Sequence, residues 1–145
     1  MNEVQKYLNL ITHDLRLFDL LTGKMPNHLM DEDFSDWQVT VLFYMACIYL
    51  KAACSFLGID IQDHFTLRQV INNKEEFYSI ARVYRHLEEA SRDARYEGRK
   101  FEKSYIMNRL LPKFALVQNC MVSFLQQNNI SNIPSIEVES LLNRF

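Results

Sequence analysis

The chain has 145 residues, with 16 Lys plus Arg against 18 Asp plus Glu, so one domain is expected and no global basicity advertises nucleic acid. Three Gly and three Pro leave too few tight turns for an all-β fold and point to long helices. Cys47, Cys54 and Cys120 lie in apolar runs without CxxC or paired-His spacing, which speaks against a zinc framework and for buried thiols in a reducing cytoplasm.

The polar start (Asn2, Glu3, Gln5, Lys6) carries no compact apolar targeting region, and a cytoplasmic location is expected. Residues 3–22 set Val4, Leu8, Ile11, Leu15, Phe18 and Leu21 at helical spacing, one wall of a bundle, with Gly23 placed to end it in a left-handed cap. The loop KMPNHLMDEDFSDW follows. Its carboxylates Asp31, Glu32, Asp33 and Asp36 complement the positive end of the next helix rather than converging as a metal site, and Ser35 with Gln38 reads as a capping box. His28 is expected in solvent.

Trp37 to Leu57, WQVTVLFYMACIYLKAACSFL, is apolar on nearly every side, with Lys51 its single charge. Such a helix must be enclosed by the other segments. A membrane span over 39–57 is the rival, opposed by Lys51 and by the amphipathic segments that need a core to pack on. Gly58 supplies the stop. Asp63 then caps a short helix to about Asn72, with His64, Leu67, Arg68 and Ile71 on one face.

Asn73 and Glu76 read as a second capping pair, opening a long helix from about Lys74 to Tyr96. Its inward stripe is Phe77, Ile80, Ala81, Tyr84, Leu87, Ser91, Ala94 and Arg95. Arg85, Arg92 and Arg99, interleaved with Glu88, Glu89 and Asp93, read as a salt-bridged solvated face, and His13 and His86 as surface residues. After Gly98, residues 103–127 keep helical phase, with Pro112 set to kink that helix or to begin a second piece. A short amphipathic tail, Ile136 to Leu142, either docks or frays.

Tyr44, His64 with Arg68, and Arg95 with Tyr96 are out of place in a plain bundle. Two readings stand. Guanidinium groups could hold a phosphate while His64 shuttles a proton. Alternatively, tyrosine hydroxyls, Ser91 and backbone carbonyls satisfy the two arginines as a structural network. No Gly-rich phosphate loop, GxSxG or Cys–His nucleophile pattern is present.

DWQVTVLFYMACIYLKAAC, then HFTLR at 64–68, then YRHLEEASRDARY, resembles the small bacterial HEPN-like proteins. Trp37, Phe43, Tyr44, His64, Arg68, Leu87, Ser91, Arg95 and Tyr96 carry the resemblance, which covers residues 36–127. It implies an all-α bundle, often a homodimer, that binds or cleaves RNA without metal or cofactor, in toxin–antitoxin or defence systems, beside a nucleotidyltransferase-like or antitoxin partner. Active ribonucleases of the wider group carry Arg and His separated by four to six residues on one helix. Here Arg82 and His86 enclose only three, and His64 precedes Arg68.

The expectation is therefore an all-α up-and-down bundle of four main helices plus one short helix and a C-terminal helical tail, in one domain over 1–145 with 128–145 as the tail. On the HEPN-like reading, His64, Arg68 and Arg95 are the catalytic candidates, and Tyr44, Tyr96 and Arg92 contact substrate. The other reading is a non-catalytic interaction module with a structural His/Arg/Tyr cluster.

Overall fold

The computed structural model describes residues 2–23 and 32–142, and its long elements are all helices: α1 (Glu3–Gly23), α2 (Ser35–Phe56), α3 (His64–Asn73), α4 (Ala81–Tyr96), α5 (Leu111–Gln127) and α6 (Val138–Leu142). A 3-10 turn, Glu75–Phe77, precedes α4, and a helical turn at Lys103–Tyr105 with a π-turn at Ile106–Leu110 leads into α5. This is the expected all-α bundle, with α1, α2, α4 and α5 as its main members. Asp31 and His28 lie outside the described residues, as does the chain beyond Gly23 on which the expected cap there depends.

α2 is the enclosed element. Fourteen of its 22 residues are buried, and α1, α4 and α5 pack around it. It is long and apolar enough to span a membrane, yet the bundle covers most of it. One continuous core runs from Val4 and Leu8 on α1 through Leu42, Phe43 and Leu50 to Phe114 and Met121 on α5. Gly58 stops α2 as its sequence implies: at φ +75° it donates to Ser55 O, and Ile59 N reaches back to Cys54 O, a Schellman cap. Asn129 closes α5 in the same way, at φ 64°.

Several local expectations are corrected. Ser35 and Gln38 form no capping box. Ser35 Oγ accepts from Phe101 N at 2.8 Å, and Gln38 Nε2 donates to Leu21 O at 2.8 Å, so both residues tie α2 to other parts of the bundle. Phe34 stands at the cap position without a side-chain bond, while Asp33 before it accepts from Ser35 N at 2.9 Å, and the Ser35 bonds hold its carboxyl below the ordinary range. Lys100 Nζ then clamps Asp36 Oδ1 at 2.9 Å.

The helix expected from Lys74 begins only at Ala81. In the 3-10 turn and the bend after it, Phe77 and Ile80, three residues apart, both point into the core. Asn73 donates to Gln69 O instead of capping anything. Pro112 sits in the first turn of α5, which begins at Leu111, so it marks the start of a second helical piece. The turn before it widens to π geometry, which accommodates a residue without an N–H.

The tail docks. Gln118, 2 % exposed, donates to Ile136 O and accepts from Ile136 N, both at 2.8 Å, while Tyr49 donates to Pro134 O. Ile130, Ile133, Ile136 and Val138 pack against the core behind these bonds.

Candidate functional site

The less buried stripe of α2 is Trp37, Tyr44, Ile48, Lys51 and Ser55, residues that share one helical face. Trp37 itself is 57 % exposed, so it is not part of the packing that its place in an apolar run suggests. Two other elements border this stripe. α3 starts there because Asp63 caps it, accepting from Thr66 N at 2.7 Å, and this sets His64 on the first turn beside Phe43 and Tyr44. α4 contributes Tyr84, Glu88, Ser91 and Arg95, one face at spacings of four, three and four.

Arg95 is fixed in several ways. Its Nη1 donates to the Tyr44 hydroxyl at 3.0 Å and its Nε to the Ser91 carbonyl at 3.3 Å. Its guanidinium carbon sits 5.6, 5.4 and 5.1 Å from the ring centres of Phe43, Tyr44 and Tyr96, a cation on three aromatic faces. Ser91 supports the arginine through its carbonyl. Its buried hydroxyl has no hydrogen-bond partner among the described residues.

Arg68 Nε lies 3.6 Å from Glu88 Oε1 and 3.4 Å from the His64 carbonyl. The Glu88 side chain is 8 % exposed against 39 % for Arg68, so the carboxylate is sunk beneath the cation. Glu88 belongs to the cluster and not to a solvated face, which corrects the expectation drawn from its charged neighbours.

From Glu88 a polar chain runs inward. Tyr84 OH is 3.5 Å from Glu88 Oε2, Cys47 Sγ is 3.8 Å from Tyr84 OH, and His64 Nδ1 is 4.0 Å from Cys47 Sγ. An ionised carboxylate only accepts, so Tyr84 donates to it. The Tyr84 oxygen is then open to the Cys47 S–H, and the sulfur to an Nδ1–H of His64. That order leaves the His64 Nε2 lone pair bare, and Nε2 has no partner among the described residues. Burial pushes the Cys47 thiol up to about 12 and raises Tyr84 as well, so both act as neutral hydrogen-bonding posts.

His64 titrates below its ordinary value. Burial is the largest cause, followed by the positive charges of Lys51 and Arg95, with Glu88 opposing. The unfolded chain therefore takes up that proton first as pH falls. The His64 contribution to stability is complete above about pH 6.5 and is lost as pH drops toward the lower folded value. Urea unfolding of wild type and His64→Asn at pH 7.5 and 5.5 checks this: the wild type loses more stability than the variant, and parallel losses would remove His64 as the cause.

Of the candidates read from sequence, the fold brings Tyr44, His64, Arg68 and Arg95 together. Tyr96 lies at the rim, 72 % exposed beneath Arg95, and Arg92 is exposed without an ion pair to the described residues. Glu88, Cys47, Tyr84 and Phe43 complete the arrangement. Glu88 was detectable, because it falls in phase with Tyr84, Ser91 and Arg95. No protein-family model, curated protein or solved structure matches this chain.

Proposed function

We propose that this chain is an RNA-directed protein of the HEPN type, with the phosphodiester backbone docking on Arg68 and Arg95 at the half-open face of α2. The observation that carries the reading is electrostatic. Lys51, Arg68 and Arg95 all act on His64, and among the described residues the carboxylates of Glu88 and the helix-capping Asp63 act against them. Three cations against two anions, one of them engaged in capping α3, leave a positive balance around a half-buried imidazole that favours a polyanion.

His64 is kept neutral at physiological pH with Nε2 free, the state a general base requires. In metal-independent cleavage, Nε2 takes the proton of a ribose 2′-hydroxyl, the 2′ oxygen attacks phosphorus, and the 5′ oxygen leaves with a proton from water. Tyr44 orients Arg95, Glu88 orients Arg68, and Tyr96 offers an exposed ring on which a base can stack. A homodimer, placed in a toxin–antitoxin or defence system beside a nucleotidyltransferase-like or antitoxin partner, belongs to the same proposal.

A second reading is favoured by the internal bonds of both arginines: the protein is a non-catalytic interaction module and the cluster a brace between α2, α3 and α4. RNA binding and cleavage by single variants separate the two. Arg95→Gln lowers affinity for a single-stranded RNA about ten- to hundred-fold, the worth of one charge-assisted contact. His64→Asn abolishes cleavage while leaving affinity within about two-fold, a change small beside the loss of one such contact. Unchanged RNA binding with reduced stability in both variants would establish the brace.

A further inference from the structure

α4 has a second polar face. About half a turn round the helix from Tyr84, Glu88 and Arg95, the residues His86, Glu89 and Asp93 border a cleft of about 430 Å³. Tyr105, Arg109 and Lys113 form its other wall. A cleft of this volume is in the range that holds a small molecule.

The charges in the cleft are not evenly matched. Arg99 Nη1 pairs with Asp93 Oδ2 at 3.1 Å, and its guanidinium carbon lies 5.7 Å from the Tyr105 ring centre. That accounts for one cation and one carboxylate. Arg109 and Lys113 have no carboxylate partner among the described residues, although Lys113 Nζ donates to the Arg109 carbonyl at 3.0 Å. Glu89 is the remaining acid, so two uncommitted cations face one uncommitted carboxylate.

The wall carrying Arg109 is the π-turn at Ile106–Leu110. Such a turn inserts a residue into the helical phase, and here Ile106 and Leu110 both stay in the core while Arg109 lines the cleft. Isolated π-turns occur frequently at functional sites. Pro112 explains why the turn is widened at this point, and the cleft is what the widening borders.

We propose that this cleft binds a small phosphate monoester bearing a hydroxyl group. Arg109 and Lys113 hold the phosphate, a forked guanidinium beside a point-like ammonium, which suits a tetrahedral dianion. Glu89, an acceptor with no hydrogen-bond donor among the described residues, takes the hydroxyl. The site is separate from the His64 cluster and stands or falls independently of any RNA activity.

Isothermal titration of the full chain with ribose 5-phosphate and with inorganic phosphate tests it. Ribose 5-phosphate binds saturably and at least ten-fold more tightly than phosphate. Arg109→Gln with Lys113→Gln weakens both ligands ten-fold or more, while Lys6→Gln, on the outer helix, changes neither. Glu89→Gln gives a two-sided signature: inorganic phosphate binds more tightly because a repulsive charge is gone, and the preference for ribose 5-phosphate disappears. No saturation by either ligand up to about 10 mM, a limit corresponding to a very weak interaction, would overturn the proposal. Equal weakening by Lys6→Gln would reduce the effect to diffuse charge, and a preference surviving Glu89→Gln would remove the hydroxyl contact.

Discussion

Phe43→Ala is expected to lower the unfolding free energy by about 3–5 kcal/mol, the cost of removing a fully buried aromatic ring and leaving a cavity. Phe43 has no exposed surface, and besides the neighbouring Tyr44 ring it lies against groups on three sides. Tyr84 lies 5.7 Å away on the core side, His64 5.6 Å away on α3, and the Arg95 guanidinium 5.6 Å away on α4. The ring is thus the floor on which the polar cluster rests, and its loss propagates upward as well as inward. Phe43→Leu separates the two consequences. It retains most of the apolar volume and the fold, but it removes the aromatic surface beneath Arg95 and His64. The leucine variant therefore unfolds at nearly wild-type urea concentration with unchanged m, and the pH dependence attributed to His64 shifts because the imidazole is less tightly enclosed. An alanine variant that loses less than about 1 kcal/mol would mean that the site closes over the gap, and Phe43 would not be the floor.

The helical faces were legible because their evidence is local and repeated. Val4, Leu8, Ile11 and Phe18 on α1, and Leu67 with Ile71 on α3, fall at helical spacing and all are buried. Asp63 was legible for the same reason, since its acceptor and the Thr66 amide are three residues apart. Ser35 and Gln38 show where local evidence misleads. Their spacing fits a capping box, but their actual partners lie 66 and 17 residues away in the chain, and nothing near Ser35 announces Phe101 or Leu21.

Glu88 failed differently. Its helical phase pointed inward, while its charge and its neighbours Glu89 and Asp93 pointed outward. Burial of the carboxylate is tolerable only because Arg68, from another helix, lies over it and Tyr84 donates to it. Neither compensation can be read from α4 alone. One sequence rule does hold in the fold: a cation or tyrosine in the apolar phase must have a partner, and for Tyr44 and Arg95 each is the other's.

Gln118→Leu is expected to release the tail and to cost about 2–4 kcal/mol, two lost amide hydrogen bonds with their half-buried partners left unsatisfied. The side chain reads the backbone of Ile136 from both sides, one bond given and one accepted, and its oxygen also accepts from Tyr49 OH at 3.2 Å. Leucine preserves the volume but offers none of these groups. The cost has a ceiling, because the segment can move into water once its docking free energy is exhausted. What holds it besides Gln118 is the burial of Ile130, Ile133, Ile136 and Val138 and the Tyr49 bond to Pro134. Loss therefore shows first as local opening: the Ile136 amide exchanges faster and proteases cut between Ile130 and Leu142, while α2 and α5 keep their protection. A chain ending at Asn129 completes the test. There Gln118 has no tail to hold, so Gln118→Leu becomes nearly neutral or stabilising, and the two changes are strongly non-additive. Equal penalties in the full and shortened chains would place the importance of Gln118 in its bond to Tyr49 and not in the tail. Additivity is thus the measurement that decides what this buried amide is for.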